Sequence, residues 1–140
     1  MAEAPSPPIV PYLTVRNARS ALAFYEAAFD GQTVRLLETD GGGVFHARTR
    51  ICEGLVMLYE DGTGAPECNG TPSDIGGSPV SIRIELVDAD TVDATFEQSV
   101  AYGASEVHPP IDRPWGRAAQ IRNPEGHIWS LAATDMEVEA

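Results

Sequence analysis

Apolar and polar positions along this chain follow a pattern that occurs twice. Residues 10–15 alternate as a strand does. Ala21, Leu22, Phe24, Tyr25, Ala28 and Phe29 then recur at helical spacing. Asn17 or Ser20 is placed to cap that helix, and Gly31 to end it. Three strand-like runs follow, residues 32–39, 44–51 and 55–60, with turns at Asp40-Gly-Gly-Gly43 and Cys52-Glu-Gly54. Residues 61–79 are rich in Gly, Pro, Thr, Ser and Asp without apolar period and read as a linker or flap. The pattern then returns. Residues 81–87 read as a strand and 91–101 as a helix, with Val92, Phe96 and Val100 inward and Gly103 at its end. Strands follow at about 105–109, 117–122 and 127–133.

An offset of 72 residues brings Phe24 onto Phe96, Gly31 onto Gly103 and Arg50 onto Arg122. Each half is therefore a βαβββ unit, and one unit alone would leave a face of its short sheet bare. The fold class predicted is α+β. Two βαβββ modules, residues 9–60 and 80–134, form a curved, mostly antiparallel eight-stranded sheet around a cleft, with helices outside. Residues 1–8 read as a flexible Pro-rich arm and 135–140 as an acidic tail.

The sheet faces follow from alternation. In the strand opening the second half, Ile82, Ile84 and Leu86 form the core stripe, so Ser81, Arg83 and Glu85 point into the cleft. In the last strand the bulky Trp129 belongs under a helix with His127 and Leu131, which puts Ser130 in the cleft and makes His127 structural. In the first strand Leu13 and Val15 go under the helix, leaving Val10, Tyr12 and Thr14 inside. In the run 55–60, Met57 and Tyr59 are assigned to the helix, and Val56, Leu58 and Glu60 to the cleft. His46, Arg48 and Gln120 line it too.

Charge and composition narrow the partners. With 21 acids against 9 bases the formal charge is −12, which disfavours nucleic acid and anionic membranes and suits cationic small molecules or simple solubility. All nine bases are arginine, so lysine Schiff-base chemistry is absent. The longest apolar run, Leu55 to Tyr59, is too short to span a bilayer. The N-terminus lacks the basic start and apolar stretch of a secretory signal, and only Cys52 and Cys68 are present, so a reduced cytoplasmic setting is expected.

The segment Arg113-Pro-Trp-Gly-Arg-Ala-Ala-Gln-Ile-Arg-Asn-Pro-Glu-Gly-His-Ile-Trp-Ser-Leu131 reads as a loop carrying Trp115, a strand, a tight turn and a second strand. Together with Pro11-Tyr-Leu-Thr-Val, Ala21-Leu-Ala-Phe-Tyr-Glu-Ala-Ala-Phe, His46-Ala-Arg and Ala101-Tyr-Gly-Ala, it resembles the glyoxalase / bleomycin-resistance / extradiol-dioxygenase (vicinal oxygen chelate) superfamily. The PhnB-like and bleomycin-resistance-like branches are the most similar. Metal-using members of that family carry four cleft-facing His, Gln or Glu ligands. The resemblance places these at Val10, Leu58, Ser81 (or Arg83) and Ser130, none a usable ligand. It therefore implies no metal and no cofactor.

The candidate ligand-binding residues are Tyr12, Leu58, Arg83, Glu85, Trp115 and Ser130. Trp115 can stack on a flat ligand or pack on a dimer partner. Arg83 and Glu85 can pair with each other or hold a ligand's charged group. No catalytic residue is assigned; His46 and Glu60 are the candidates for a base. The reading that follows is a metal-free homodimer binding an aromatic or cationic small molecule, as in antibiotic sequestration. Its alternatives are a lyase, isomerase or dioxygenase-type enzyme with a non-standard site, and a regulatory or interaction module with a vestigial cleft.

Overall fold

A computed structural model describes residues 6–63 and 70–134. Most of the N-terminal arm, Cys68 and the acidic tail lie outside the described residues. The chain divides between Gly76 and Gly77 into two compact units. Each holds one four-stranded mixed sheet and one long helix, so the class is α+β and each unit contains a βαβββ module. Among the described residues no helix is long and apolar enough to cross a membrane.

In the first unit, β1 (Tyr12–Val15), β4 (Gly54–Glu60), β3 (Val44–Ile51) and β2 (Gln32–Glu38) lie in that order. The β1–β4 pair is parallel and the others antiparallel. Helix α1 (Ala18–Phe29) starts at Asn17, whose side chain accepts the Ser20 N–H, and buries the apolar stripe from Ala21 to Phe29. It ends one residue earlier than the glycine signal suggests, because Asp30 takes the left-handed position at φ 55°. Gly31 is needed for a different reason. A Cβ there would come within 3.0 Å of the Tyr25 carbonyl oxygen and 3.2 Å of Thr49 Oγ1. The segment read as a structureless linker contains a short helix, α2 (Pro72–Ile75), closed by a reciprocal capping box between Thr71 and Asp74. One turn is too short to show an apolar period, so only the capping signature could reveal it.

In the second unit the order is β5 (Ser81–Glu85), β8 (Ile128–Thr134), β7 (Gly116–Arg122), β6 (Ser105–Arg113), again with the first pair parallel. Helix α3 (Ala89–Ala101) is capped by Asp88, which accepts from Thr91 N–H and O–H; those bonds hold its carboxyl below the usual carboxylate range. The inward stripe departs from prediction. Val92 and Ser99 are buried, whereas Val100 is 42% exposed. At 3.6 residues per turn, Ser99 returns to within about 20° of Val92, and Val100 overshoots by about 80°. Ser99 satisfies its hydroxyl by donating to the Thr95 carbonyl at 2.7 Å. Strand β6 also runs on to Arg113, four residues past the predicted end, bulging around Val107 and the Pro109–Pro110 pair.

Candidate functional site

Each sheet has one face under its helix and one opposite. In the first unit the face under α1 is marked by two contacts. Gly31, just past the helix, abuts Thr49, and the Glu60 carboxylate reaches the Ala18 N–H at the helix start. Ala47 and Leu58 are paired across the β3–β4 ladder, Leu13 pairs with Leu58 across β1–β4, and Thr49 pairs with Val56, so all of these share that face. Leu58 has no exposure at all. The predicted orientation of β4 is therefore reversed: Leu58 belongs to the core under α1, and Met57 and Tyr59 lie opposite. The run Leu-Val-Met-Leu-Tyr is apolar on both faces, so alternation carries no polar marker there, and side-chain bulk misleads. Tyr59 is buried because its hydroxyl accepts from Thr14 at 2.7 Å and its ring meets Tyr12 edge-on.

Glu60 is corrected with it. One carboxylate oxygen accepts the Ala18 N–H at 2.9 Å and the other the Val44 N–H at 3.1 Å. These bonds satisfy one of the four orphan donors of α1 and hold the start of β3, so the carboxylate is a structural acceptor rather than a base or a solvated edge charge.

On the face opposite α1, Tyr12, His46 and Arg48 form a chain. Arg48 Nε donates to His46 Nε2 at 3.0 Å, and His46 Nδ1 lies 2.9 Å from the Tyr12 hydroxyl. Arginine has no acceptor, so Nε2 must be the bare nitrogen. The imidazole is then the neutral tautomer with its proton on Nδ1, donating to Tyr12. The histidine that stood without an assigned partner in the sequence has two on its own sheet.

The face opposite α3 in the second unit holds the other cluster. The helix side is marked by Arg117, which bonds Asp93 of α3 at 2.7 Å and also Asp112, raising its already high pKa. Ala119, Ile121, Trp129 and Leu131 share that side and are fully or nearly fully buried. Arg83, Glu85, Gln120, Ser130 and Thr134 lie on the other. Arg83 and Glu85 pair with each other: Nε and Nη2 donate to the same Glu85 oxygen at 2.7 and 2.6 Å. Thr134 closes the group, accepting from Arg83 at 3.3 Å and donating to Glu85 at 3.2 Å. Gln120 Nε2 donates to Ser130 Oγ at 3.1 Å, and Ser130 sits directly across from Arg83 in the β5–β8 ladder.

Trp115 completes the cluster. Because Arg113 pairs with Gly116, Trp115 stands in a two-residue hairpin turn with Pro114, not in an open loop. Gly116 has φ 151°, and a Cβ there would overlap the Ala133 carbonyl oxygen, so only glycine admits this turn against β8. The turn sets the indole under the Arg83 guanidinium, whose central carbon lies 4.8 Å from the ring centroid.

The repeated βαβββ pattern and the closing Asn-Pro-Glu-Gly hairpin lie almost wholly within the span of one family profile. The Glyoxalase/Bleomycin resistance protein/Dioxygenase superfamily model matches residues 8–131. The chain belongs to this superfamily. An uncharacterized protein of Mycobacterium bovis is 37% identical over 137 aligned positions, covering 94% of this chain and 86% of the relative. Among solved structures, TioX from Micromonospora sp. ML1 superposes with a TM-score of 0.68 at 25% identity, covering 94% of this chain and 98% of that one. The PhnB protein from Bacillus cereus gives 0.70 at 19% identity, with coverages of 91% and 100%.

Superfamily membership raises the question of a metal, and the registers sharpen the sequence comparison. Leu58 and Leu131 correspond, each buried under its unit's helix, so the β4 residue matching Ser130 is Met57 rather than Leu58. By the same ladders Tyr12 matches Arg83. Methionine, serine, tyrosine and arginine do not fit the His, Gln or Glu donor set that a divalent metal takes in this fold. Among the described residues no three His, Cys, Asp or Glu side chains gather as a metal-binding group. The internal repeat could not have corrected Leu58 beforehand, because its 72-residue offset sets Leu58 on Ser130; the match to Leu131 is one residue further on and comes from the ladders alone.

Proposed function

We propose that this superfamily member is a metal-free small-molecule-binding protein that takes an aromatic or cationic compound, in the manner of antibiotic sequestration. The observation that carries the reading is the half-buried Trp115, held in a turn that Gly116 permits and covered by a planar cation that is itself bonded to Glu85. An indole face and a carboxylate arranged around one planar cation form a recognition element for flat, positively charged molecules. The net charge of −12 would draw such ligands from solution. Ser130 and Gln120 add neutral polar contacts beside it, and Tyr12 with His46 and Arg48 offers a second polar-aromatic surface in the first unit. The protein acts in the cytoplasm as a homodimer.

Calorimetric titration against a panel of cationic glycopeptide and aromatic antibiotics tests this. Stoichiometric binding of one class, lost in W115A, is the expected result; no binding across the panel would overturn it. Elemental analysis of protein prepared without chelator should find no stoichiometric metal, and sedimentation should give the mass of a dimer.

The Tyr12–His46–Arg48 chain favours a second reading, an enzyme using His46 as proton donor or acceptor without a metal. Mass spectrometry of any bound compound after incubation separates the two: turnover that disappears in H46A would favour catalysis.

A further inference from the structure

Arg83 fills a slot whose other walls are the Trp115 ring, the Glu85 carboxylate and the Thr134 hydroxyl. Those walls are held independently of it. Trp115 is set by a turn that only glycine permits, and Thr134 Oγ1 lies 3.2 Å from each Glu85 oxygen. Arg83 itself is a long side chain on the edge strand β5, and its side chain is 44% exposed. It can leave for solvent without disturbing the sheet, and an exposed ion pair is weak enough to be exchanged. Its guanidinium is flat, delocalised and cationic, and it sits stacked on the indole at 4.8 Å while donating two N–H groups to one carboxylate oxygen.

Resting on the ligand class proposed above, we infer that Arg83 is an internal stand-in for the ligand. A planar aromatic cation binds by displacing Arg83 from Trp115 and taking over its bonds to Glu85, so Arg83 sets both affinity and charge selectivity. The amidinium of such a ligand presents the same paired N–H donors to Glu85, and its aromatic ring covers more of the indole than a guanidinium does. A neutral aromatic ligand cannot replace the lost ion pair, and an anionic one is repelled by Glu85.

The probe is benzamidine, with benzoate as its anionic counterpart. Binding is followed by the emission of Trp115, assigned by comparison with W115F, in the full-length wild type, R83A and R83Q. Both variants alter an exposed side chain, and thermal melting confirms that they fold. Benzamidine should bind R83A about tenfold tighter than wild type, the scale set by one exposed ion pair and one cation–π contact. E85Q in the R83A background should abolish that gain, and benzoate should bind neither form. Equal or weaker binding of benzamidine to R83A, or no binding to any variant, overturns the inference. So does benzoate binding that is lost in R83A, since Arg83 would then be a direct anion contact. Should benzamidine bind R83A as expected while the antibiotic panel fails, the functional reading falls and the slot stands.

Discussion

Glu60, the last residue of β4, accepts the Ala18 backbone N–H at 2.9 Å, so one strand end caps the first turn of α1. Its other oxygen holds the Val44 N–H at the start of β3. One carboxylate thus ties together three elements that are distant in sequence. Glu60→Ala leaves two backbone donors without their acceptor and should cost roughly 2 kcal/mol, as expected for part-buried charge-assisted bonds. Glu60→Gln, which keeps one acceptor oxygen, should fall between. Urea unfolding followed by circular dichroism measures both. A negligible loss in both variants would return Glu60 to the list of candidate bases.

His127 should make the protein acid-sensitive. Burial pushes its imidazole pKa down from 6.5 to about 4, and Nδ1 is buried with no hydrogen-bond partner among the described residues. The unfolded chain takes up a proton near pH 6.5 that the folded one refuses until about pH 4. Stability therefore falls as pH drops through that window and levels off below it, by up to roughly 3 kcal/mol. His127→Phe removes the titrating group, so the difference between wild-type and variant stabilities should change between pH 6.5 and 4 and stay level above 7. Denaturation at a series of pH values reads this directly. Asp88, whose pKa is lowered by Thr91, adds a separate loss at lower pH that the substitution leaves in place.

Gly116→Ala should be among the most damaging changes of a single methyl. The added carbon meets the Ala133 carbonyl, and the backbone at φ 151° is disfavoured for any L side chain. We expect a loss of at least about 2 kcal/mol. Because the β6–β7 turn must shift, Trp115 should also leave the Arg83 guanidinium, and the emission assigned to Trp115 should change while that of the buried Trp129 does not.

The reversed face of β4 is testable by a pair of neighbours. Leu58→Ala empties a fully buried site under α1 and should cost about 3 kcal/mol, with no effect on any ligand bound at Trp115. Tyr59→Phe removes only the hydroxyl that accepts from Thr14 and should cost about 1 kcal/mol. If Leu58 were a ligand wall, its truncation would instead weaken binding and spare stability.

The sequence alone determined what depends on neighbours along the chain. The βαβββ repeat, a helix cap at Asn17 or Ser20, the Asn-Pro-Glu-Gly hairpin and the α+β class all follow from local period and turn chemistry. It also oriented β5, where Ser-Ile-Arg-Ile-Glu alternates polar with apolar, and β8, by the bulk of Trp129, and so put Arg83, Glu85 and Ser130 on one face. Only the tertiary structure decided where that contrast is missing or where partners come from afar. β4 is apolar on both sides, so its orientation depends on which residues meet α1 and which meet Tyr12. Glu60 looks like an edge charge until Ala18 and Val44 are brought to it, 42 and 16 residues away. Trp115 looks like a loop residue until Arg113 pairs with Gly116, and its choice of Arg83 depends on a hairpin packed beside an edge strand. Faces are written in periodicity; the pairing of distant side chains depends on strand register, which no local window contains.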